Sequence, residues 1–226
     1  IKESFKDNIP PSDIPIDILY EDEDILAVNK PRSMPTHPSL NHYTDTLANG
    51  VMYYYKDLPF TFRAITRLDR DTSGIVLIAK NILSAHLLGV EMKNKRIKKN
   101  YVAVVNGKLT DNKGIISAPI KRAKEGIILR CVSPDGKEAV TEYKVISEGE
   151  KLSLVSLSPL TGRTHQLRVH MSHISHPIYG DDLYGAPQKN EKLRLHCREI
   201  TFIHPFLKEE IKIEAPLPED ISNLQF

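Results

Sequence analysis

The sequence predicts an α+β fold whose sheet is mainly antiparallel. Short apolar runs of strand length recur along the 226 residues and outnumber the helical patterns. Gly, Pro and Asp-Gly turns separate most of these runs, and short turns connect antiparallel neighbours. The chain has 40% hydrophobic and 27% charged residues, a composition that excludes disordered and fibrous proteins. At this length, folding buries roughly 70% of the surface of the unfolded chain, which is enough for a sizeable core.

Strands and helices alternate in the first half of the chain. The apolar run at 25–31 indicates a buried strand, and Lys30-Pro31 ends it because proline lacks the N–H group that a sheet uses. Asn81 is a typical N-cap for the apolar segment that follows it. The predicted elements are a strand at 25–31, a helix within 42–56, a strand at 74–80, a helix at 81–93 and a strand at 101–107.

Short strands dominate the second half. Residues 114–160 contain four such runs, GIISAPI, GIILRCV, AVTEYKVI and KLSLVSLSPL. After Gly162 the period changes, because apolar or bulky residues recur at positions 167, 170, 171 and 174, as on one face of a helix. Two more strands are predicted around LRLHCREITF and EIKIEAP. No break in composition within 16–215 indicates a domain boundary, so we expect one domain.

Targeting and redox signals favour a cytoplasmic protein. No run of about 18 apolar residues is present, as a membrane-spanning helix would need. The polar opening IKESFKDNIP lacks the pattern of a secretory signal. Cys131 and Cys197 are far apart in the sequence, and we expect both to be free thiols.

Charge is unevenly distributed although the net charge is only +2. Residues 13–24 hold acids and no base, and residues 93–99 hold bases and no acid. A dense basic run suits the phosphates of RNA or DNA, because each neutralised phosphate releases counterions. A solvated helix end explains the same run, and charge alone leaves both interpretations open.

The polar segment Arg67–Gly74 precedes a buried strand, where functional residues tend to collect. Asp69 and Asp71 are candidates for a catalytic pair, for a metal clamp, or for a turn held by salt bridges. The residues alone do not choose among these three.

Two further segments suggest anion or nucleic-acid binding. Gly162–His170 opens the predicted helix, where free backbone N–H groups join Arg163 and Arg168 in favouring a phosphate or a carboxylate. Tyr101 directly follows the basic run, and aromatic and basic residues together suit stacking on nucleobases. A lone tyrosine at the start of a strand is more often part of the core.

Four histidines fall close together, at positions 165, 170, 173 and 176. A catalytic zinc site needs converging ligands with an open position. No HExxH or CxxC motif accompanies these histidines, so we expect packing and hydrogen bonding rather than metal binding. The sequence also lacks GxxxxGK[ST], GxSxG and a GxGxxG that follows a strand, which leaves nucleoside-triphosphate, serine-hydrolase and dinucleotide chemistry without their signatures.

Together, five segments resemble the RluA-type family of RNA pseudouridine synthases. They cover about 18–205 and occur in the order of the family. The segments are YEDEDILAVNKP (20–31), RLDRDTSG (67–74), KNYVAVVNG (99–107), GRTHQLRVHMSHISHPIYGDDLYG (162–185) and LHCREITFIHP (195–205).

The resemblance implies the pseudouridine synthase fold, a mixed but mainly antiparallel central sheet flanked by helices and loops. It implies an isomerase that converts uridine in RNA to pseudouridine without cofactor or metal. It assigns catalysis to Asp69 rather than Asp71, with Arg168 as the basic partner of the aspartate and Tyr101 packed against the base. Whether the carboxylate attacks the anomeric carbon or assists ribose deprotonation stays open. Thr66 departs from the histidine of many members, which is not the catalytic group.

The resemblance also implies how RNA is held. The target uridine must leave the helical stack to reach the aspartate, and Arg67 is the residue expected to occupy the vacated space. The residues expected to contact RNA or the base are Arg67, Leu195, Lys95, Arg96, Lys98, Arg163 and His165. Large-subunit ribosomal RNA is the first expected substrate and transfer RNA the second, and we expect a monomer.

Residues 1–17 are polar and rich in proline. We interpret them as a linker from a missing N-terminal RNA-binding domain, and 18–226 as the catalytic domain. Two other functions stay open on the residues. One is a glycoside or nucleotide hydrolase that uses Asp69 and Asp71 as a carboxylate pair. The other is an RNA-binding module without catalysis, which would not require Asp69, Tyr101 and Arg168 together.

Overall fold

The protein is described by a computed structural model that covers residues 9–185 and 191–224. These residues divide into two compact units, a division that the composition does not indicate. Unit 1 comprises Ile1–Ile97 and Thr201–Ala215, and unit 2 comprises Lys98–Ile200 and Pro216–Phe226. Within the described ranges, no helix is both long enough and apolar enough to cross a membrane. Cys131 and Cys197 are free thiols, as the sequence predicts.

Unit 1 is built on antiparallel strands. They are β1 (Ile18–Glu21), β2 (Ile25–Lys30), β3 (Arg63–Ala64) and β4 (Ser73–Ala79). β2 lies between β1 and β4, and β3 also pairs with β4. The side chains of β4 are buried on both faces, since Ile75, Val76 and Leu77 are each 0% exposed. A continuous apolar run is the pattern of such a strand, which is why both β2 and β4 were predictable.

Helix α1 (Leu47–Tyr54) begins at a capping box. The Thr46 side chain accepts a hydrogen bond from Asn49 N, and the Asn49 side chain accepts one from Thr46 N. Gly50 lets the chain before β1 approach this helix, since a Cβ there would lie 3.0 Å from Ile14 O. Residues 9–17 of the predicted linker therefore pack on α1, while residues 1–8 lie outside the described residues.

Helix α2 (Ile82–Lys93) has the predicted cap, with Asn81 Oδ1 accepting from Ser84 N at 2.8 Å. Its apolar residues do not form one buried face. Leu88 is 0% exposed, but Ile82 and Leu83 are 50% and 54% exposed. At 3.6 residues per turn, Ser84 and Leu88 share the buried face and the exposed residues lie on others.

Unit 2 is also antiparallel. Its strands are β5 (Lys98–Asn106), β6 (Lys113–Ser117), β7 (Ile120–Arg122), β8 (Arg130–Val132), β9 (Val140–Glu148) and β10 (Leu152–Pro159). Their order is β5-β10-β9-β6, and β7 and β8 form a separate pair. The predicted run GIILRCV forms a strand only at its end, because residues 123–128 are exposed and belong to the connection between β7 and β8.

The remaining elements complete the two units. Helix α3 (Gln166–His173) belongs to unit 2, and α4 (Glu219–Ser222) follows near the C-terminus. Strand β11 (Leu195–Ile203) begins in unit 2 and ends in unit 1, where β12 (Glu210–Glu214) follows it. Twelve strands and four helices among the described residues confirm the α+β fold and the mainly antiparallel pairing.

Candidate active site

The predicted signature Arg67–Gly74 is a rigid loop of unit 1 that enters β4. Thr36 Oγ1 donates to Leu68 O at 2.9 Å and accepts from Leu68 N at 3.2 Å. Gly74 ends the loop with φ = 109°, a backbone conformation that residues with a Cβ rarely adopt. The loop is therefore held by side-chain bonds at its start and by glycine geometry at its end.

Asp69 and Asp71 lie in this loop in different surroundings. Thr72 N donates to Asp69 O at 3.1 Å and closes a tight turn. The Asp71 carboxylate accepts from Arg70 Nε at 3.0 Å and from Arg70 Nη2 at 3.1 Å, so it forms an ion pair within the turn itself. Within the described part of unit 1, no donor binds the half-buried Asp69 carboxylate.

Lys30 lies beneath the loop and was not predicted as a site residue. Its side chain is 0% exposed, and its ammonium donates to Pro31 O at 2.8 Å, Met34 O at 2.8 Å and Arg70 O at 3.1 Å. Burial lowers the pKa of Lys30 to about 7, while the nearby Asp71 and Asp69 oppose that shift. Lys30 thus joins the end of β2 to the aspartate loop and places a buried cation near Asp69.

One group of possible metal ligands exists among the described residues, at Asp22, Asp24 and His204. Its atoms already bond within the protein. His204 Nε2 lies 3.0 Å from Asp22 Oδ2, while His204 Nδ1 accepts from Leu207 N at 3.1 Å. Asp24 Oδ1 accepts from Ser84 Oγ at 2.8 Å. This arrangement is a hydrogen-bond network that joins β1, α2 and the chain after β11.

Unit 2 carries the other predicted catalytic residues. Tyr101 lies in β5 opposite Leu157 of β10 and is 7% exposed. Leu195 begins β11 and is 3% exposed, and Arg168 lies in α3 and is 2% exposed. Their burial fits an enclosed pocket and also fits the core of unit 2. Their catalytic roles stay predictions.

Arg168 forms a buried ion pair with Asp181. Arg168 Nε and Nη2 donate to the two carboxylate oxygens of Asp181 at 2.8 and 2.6 Å. Asp181 Oδ1 also accepts from Leu183 N and Tyr184 N at 3.0 Å each. The two parallel bonds fix the plane and position of the guanidinium. Asp181 was not predicted as a site residue, and the acidic pair in GDD of the third signature was the available signal.

Tyr184 and His165 lie beside this ion pair. The Tyr184 hydroxyl bonds to His165 Nδ1 at 2.7 Å and accepts from Arg130 N at 3.0 Å. The Arg168 guanidinium carbon lies 5.2 Å from the centre of the Tyr184 ring, a cation–π distance. Burial raises the pKa of Tyr184. His165, in the left-handed region at φ = 56°, is the N-cap residue of α3.

The predicted RNA-contacting residues are exposed, with the exceptions of Leu195 and His165. In unit 1, Arg67 is exposed in the loop, Lys95 follows α2 at φ = 58°, and Arg96 Nη1 donates to Glu91 at 3.3 Å. In unit 2, Lys98 is exposed at the start of β5, and Arg163 Nε donates to Glu138 O at 2.9 Å. The basic run therefore spans a helix end, a turn and a strand rather than one helix face.

Three of the four clustered histidines, at positions 165, 170 and 176, form hydrogen bonds within unit 2, whereas His173 is exposed. His170 is 0% exposed and bonds to Thr141 Oγ1 at 2.9 Å and to Ala118 O at 3.0 Å. His176 Nδ1 bonds to Asn106 O at 2.9 Å. Burial lowers the pKa of His170, which favours the neutral ring that these bonds require.

Comparison with known proteins decides the family. The family described as RNA pseudouridylate synthase matches residues 24–173. The chain belongs to the RNA pseudouridine synthases. The RluA-type resemblance of the five segments is thereby confirmed.

Similar proteins share most of this chain. The uncharacterized RNA pseudouridine synthase YjbO of Bacillus subtilis is 41% identical, over 99% of this chain and 80% of its own length. The ribosomal large subunit pseudouridine synthase D of Blochmanniella floridana is 36% identical, over 96% of this chain and 74% of its own length. The solved structure of human RNA pseudouridylate synthase domain containing 1 is 30% identical, with a TM-score of 0.77 over 92% of this chain and 86% of that chain. The chain is therefore an RNA pseudouridine synthase, an enzyme that isomerises uridine in RNA.

Proposed function

We propose that this enzyme converts a uridine of large-subunit ribosomal RNA to pseudouridine, with Asp69 as the catalytic residue. The observation that carries the assignment is the contrast within one loop, where Asp71 is paired with Arg70 and the Asp69 carboxylate is unbonded within the described part of unit 1. The substrate is supported by relatives of this chain that are named ribosomal large subunit pseudouridine synthase D, at 36% and 42% identity.

The reaction needs one ionised carboxylate and no net change of atoms. The N1–C1′ glycosidic bond of uridine breaks, the uracil turns, and a C5–C1′ bond forms, after which the C5 proton is lost and N1 regains a proton. Asp69 either attacks C1′ to form a covalent intermediate or assists removal of a ribose proton. Both routes need the carboxylate form of Asp69.

The other assigned residues hold and move the base. Tyr101 packs against the uracil and is a candidate for the late proton transfer. Leu195 supplies an apolar wall, and Arg168 is the basic partner that stabilises the aspartate. The role of Arg168 is supported by its fixed guanidinium, since two bonds to Asp181 hold it in one orientation.

A uridine in a folded RNA must leave its stack before it reaches Asp69. Flipping costs a few kcal/mol and costs least where the base is already unpaired or distorted. Arg67 fills the space that the base leaves, a role supported by its exposure in the same loop as Asp69. The lower cost of flipping an unpaired base favours a uridine in a loop or at a helix end as the target.

Chemical mapping of pseudouridine in total RNA from the source cell, with and without this gene, tests the substrate. We expect one or a few marks in large-subunit ribosomal RNA to disappear and to return with the wild-type gene but not with Asp69→Asn. Loss of marks only in transfer RNA would reject the ribosomal substrate and retain the reaction. Marks restored by Asp69→Asn would reject the role of Asp69.

A further inference from the structure

A second basic site lies in unit 2 at the hairpin of β7 and β8. The hairpin cleft, as we name it, has a volume of about 460 Å³. Five of its lining residues are cationic and one is acidic. The lining residues that matter here are Lys121, Arg122, Arg130, Lys137, Arg163 and Asp135.

The single acid of the hairpin cleft is already neutralised. Asp135 accepts from Lys121 Nζ at 2.9 and 2.8 Å through its two oxygens, and it also accepts from Ser133 Oγ. The bound ammonium lowers the pKa of Asp135 to about 2, so this pair carries no net charge at neutral pH. The remaining four cations therefore set the charge of the cleft.

Those four cations have no carboxylate partner among the residues that the structure describes. Arg163 uses one guanidinium nitrogen on Glu138 O. Arg130 Nη1 is the clearest case, since it is buried and has no hydrogen-bond partner within residues 9–185 and 191–224. A buried guanidinium donor without an acceptor costs free energy unless a ligand supplies one. The cleft thus contains both an excess of positive charge and an unsatisfied donor.

The part of the cleft wall around Gly162 leaves room for a ligand. Gly162 has open space where its Cβ would be, and Thr164 next to Arg163 adds an exposed hydroxyl-bearing residue. The cleft also lies near the active-site residues of unit 2, because Arg130 N donates to the Tyr184 hydroxyl, which bonds to His165.

We propose that the hairpin cleft binds a phosphodiester group of the substrate RNA, held by Arg122, Arg130 and Lys137 in addition to Arg163. Guanidinium groups match the phosphate oxygens in a two-pronged geometry. The proposal rests on the proposed function, since it identifies a contact of the same RNA. It assigns RNA binding to residues outside the basic run and outside the five signature segments.

The test compares two triple variants that each remove three positive charges from unit 2. One is Arg122→Gln, Arg130→Gln and Lys137→Gln in the cleft. The matched control is Lys113→Gln, Lys144→Gln and Lys151→Gln, three exposed lysines elsewhere in the same unit. Binding of an unmodified large-subunit RNA transcript is measured from 50 to 200 mM salt, and thermal unfolding checks that both variants fold.

The cleft variant should bind RNA more weakly and lose roughly 0.7 from the slope of log affinity against log salt, the value for one lost phosphate contact. The control should lose far less. Equal slopes in the two variants would overturn the proposal. So would displacement of RNA from the wild-type protein by polyglutamate at a concentration no higher than that of the RNA, since the cleft would then prefer an acidic polypeptide.

The same samples separate this proposal from the proposed function. If the wild-type protein forms no pseudouridine but its binding still depends on the cleft charges, the function fails and the cleft stands. If the cleft variant keeps both the wild-type salt slope and the wild-type turnover, the cleft fails and the function stands. Single Arg130→Gln serves as a second variant should the triple variant unfold.

Discussion

Arg168 and Asp181 form a two-bond ion pair in which both side chains are almost fully buried, at 3% and 0% exposure. Asp181 also accepts from two backbone N–H groups, so its charge is compensated on several sides. A buried ion pair with this geometry fixes the orientation of its side chains, whereas its net contribution to the unfolding free energy is small. In the proposed mechanism, this pair holds the Arg168 guanidinium in one orientation.

Replacing Asp181 should therefore harm both folding and turnover. Asp181→Asn removes the buried anion that two nitrogens of Arg168 bind, and breaking a buried pair in this way costs about 3–5 kcal/mol of unfolding free energy. We expect the turnover rate to fall by about 100-fold, because Arg168 loses its fixed orientation. Denaturant unfolding and single-turnover pseudouridine formation measure the two effects.

Asp182 provides the matched control. Its carboxylate lies 3.3 Å from the same Arg168 nitrogen, but its side chain is 67% exposed. Asp182→Asn should change stability by less than about 1 kcal/mol, as for other exposed pairs. If Asp181→Asn and Asp182→Asn behave alike, the buried pair does not hold Arg168 for catalysis.

Lys30 gives stability a specific pH dependence. Its pKa in the folded protein is about 7, below the roughly 10.4 of an exposed lysine. Between these values the unfolded chain binds more protons than the folded one, so the unfolding free energy rises with pH across that window, by at most about 1.4 kcal/mol per pH unit. Below pH 7 the contribution of Lys30 is constant.

Lys30→Met removes this titration and the three bonds to carbonyl oxygens. Urea unfolding at pH 7, 8 and 9 should show a stability difference between wild type and variant that grows with pH. Turnover should fall by about tenfold or more, because Arg70 O and the aspartate loop lose their tie to β2. A difference that is independent of pH would contradict the buried titration.

The basic run should contribute to RNA affinity. Lys95, Arg96 and Lys98 are exposed, and Arg96 forms only a surface pair with Glu91. Reversal of all three charges to Glu should weaken RNA binding and flatten its salt dependence, since each lost phosphate contact removes roughly 0.7 to 0.9 from the slope. Filter binding between 50 and 200 mM salt measures the RNA affinity and its salt dependence. An unchanged slope would refute the assignment of these three residues to RNA binding.

The sequence correctly predicted those strands and helices whose local residue pattern reflects how they are buried or capped. β2 and β4 are continuous apolar runs and α2 begins at an Asn cap, so local information placed them within about two residues. The exposure of the apolar residues Ile82 and Leu83 was not predicted. The spacing of apolar residues shows which of them share a face of α2, but it does not show which face packs against the rest of the protein. Tertiary packing decides that.

In the candidate site, too, local sequence patterns were predictive and long-range contacts were not. Asp69 was predicted from its signature, whereas neither Lys30 nor Asp181 was predicted as a site residue. Lys30 bonds to Arg70 O, 40 positions away, and Arg168 bonds to Asp181 13 positions away across a turn. Such pairings depend on where the chain folds back. A charged residue that ends a buried strand, as Lys30 does, is the kind of signal that indicates a buried partner.

The most direct test of the account compares Asp69 with its neighbour Asp71. Purified wild-type protein, Asp69→Asn and Asp71→Asn are each incubated with unmodified large-subunit ribosomal RNA, and pseudouridine is mapped chemically while RNA affinity is measured in parallel. We expect Asp69→Asn to bind RNA and form no pseudouridine, and Asp71→Asn to retain measurable turnover, because only its turn ion pair is lost. Pseudouridine formation by Asp69→Asn, or complete loss of turnover in Asp71→Asn alone, would contradict the central claim.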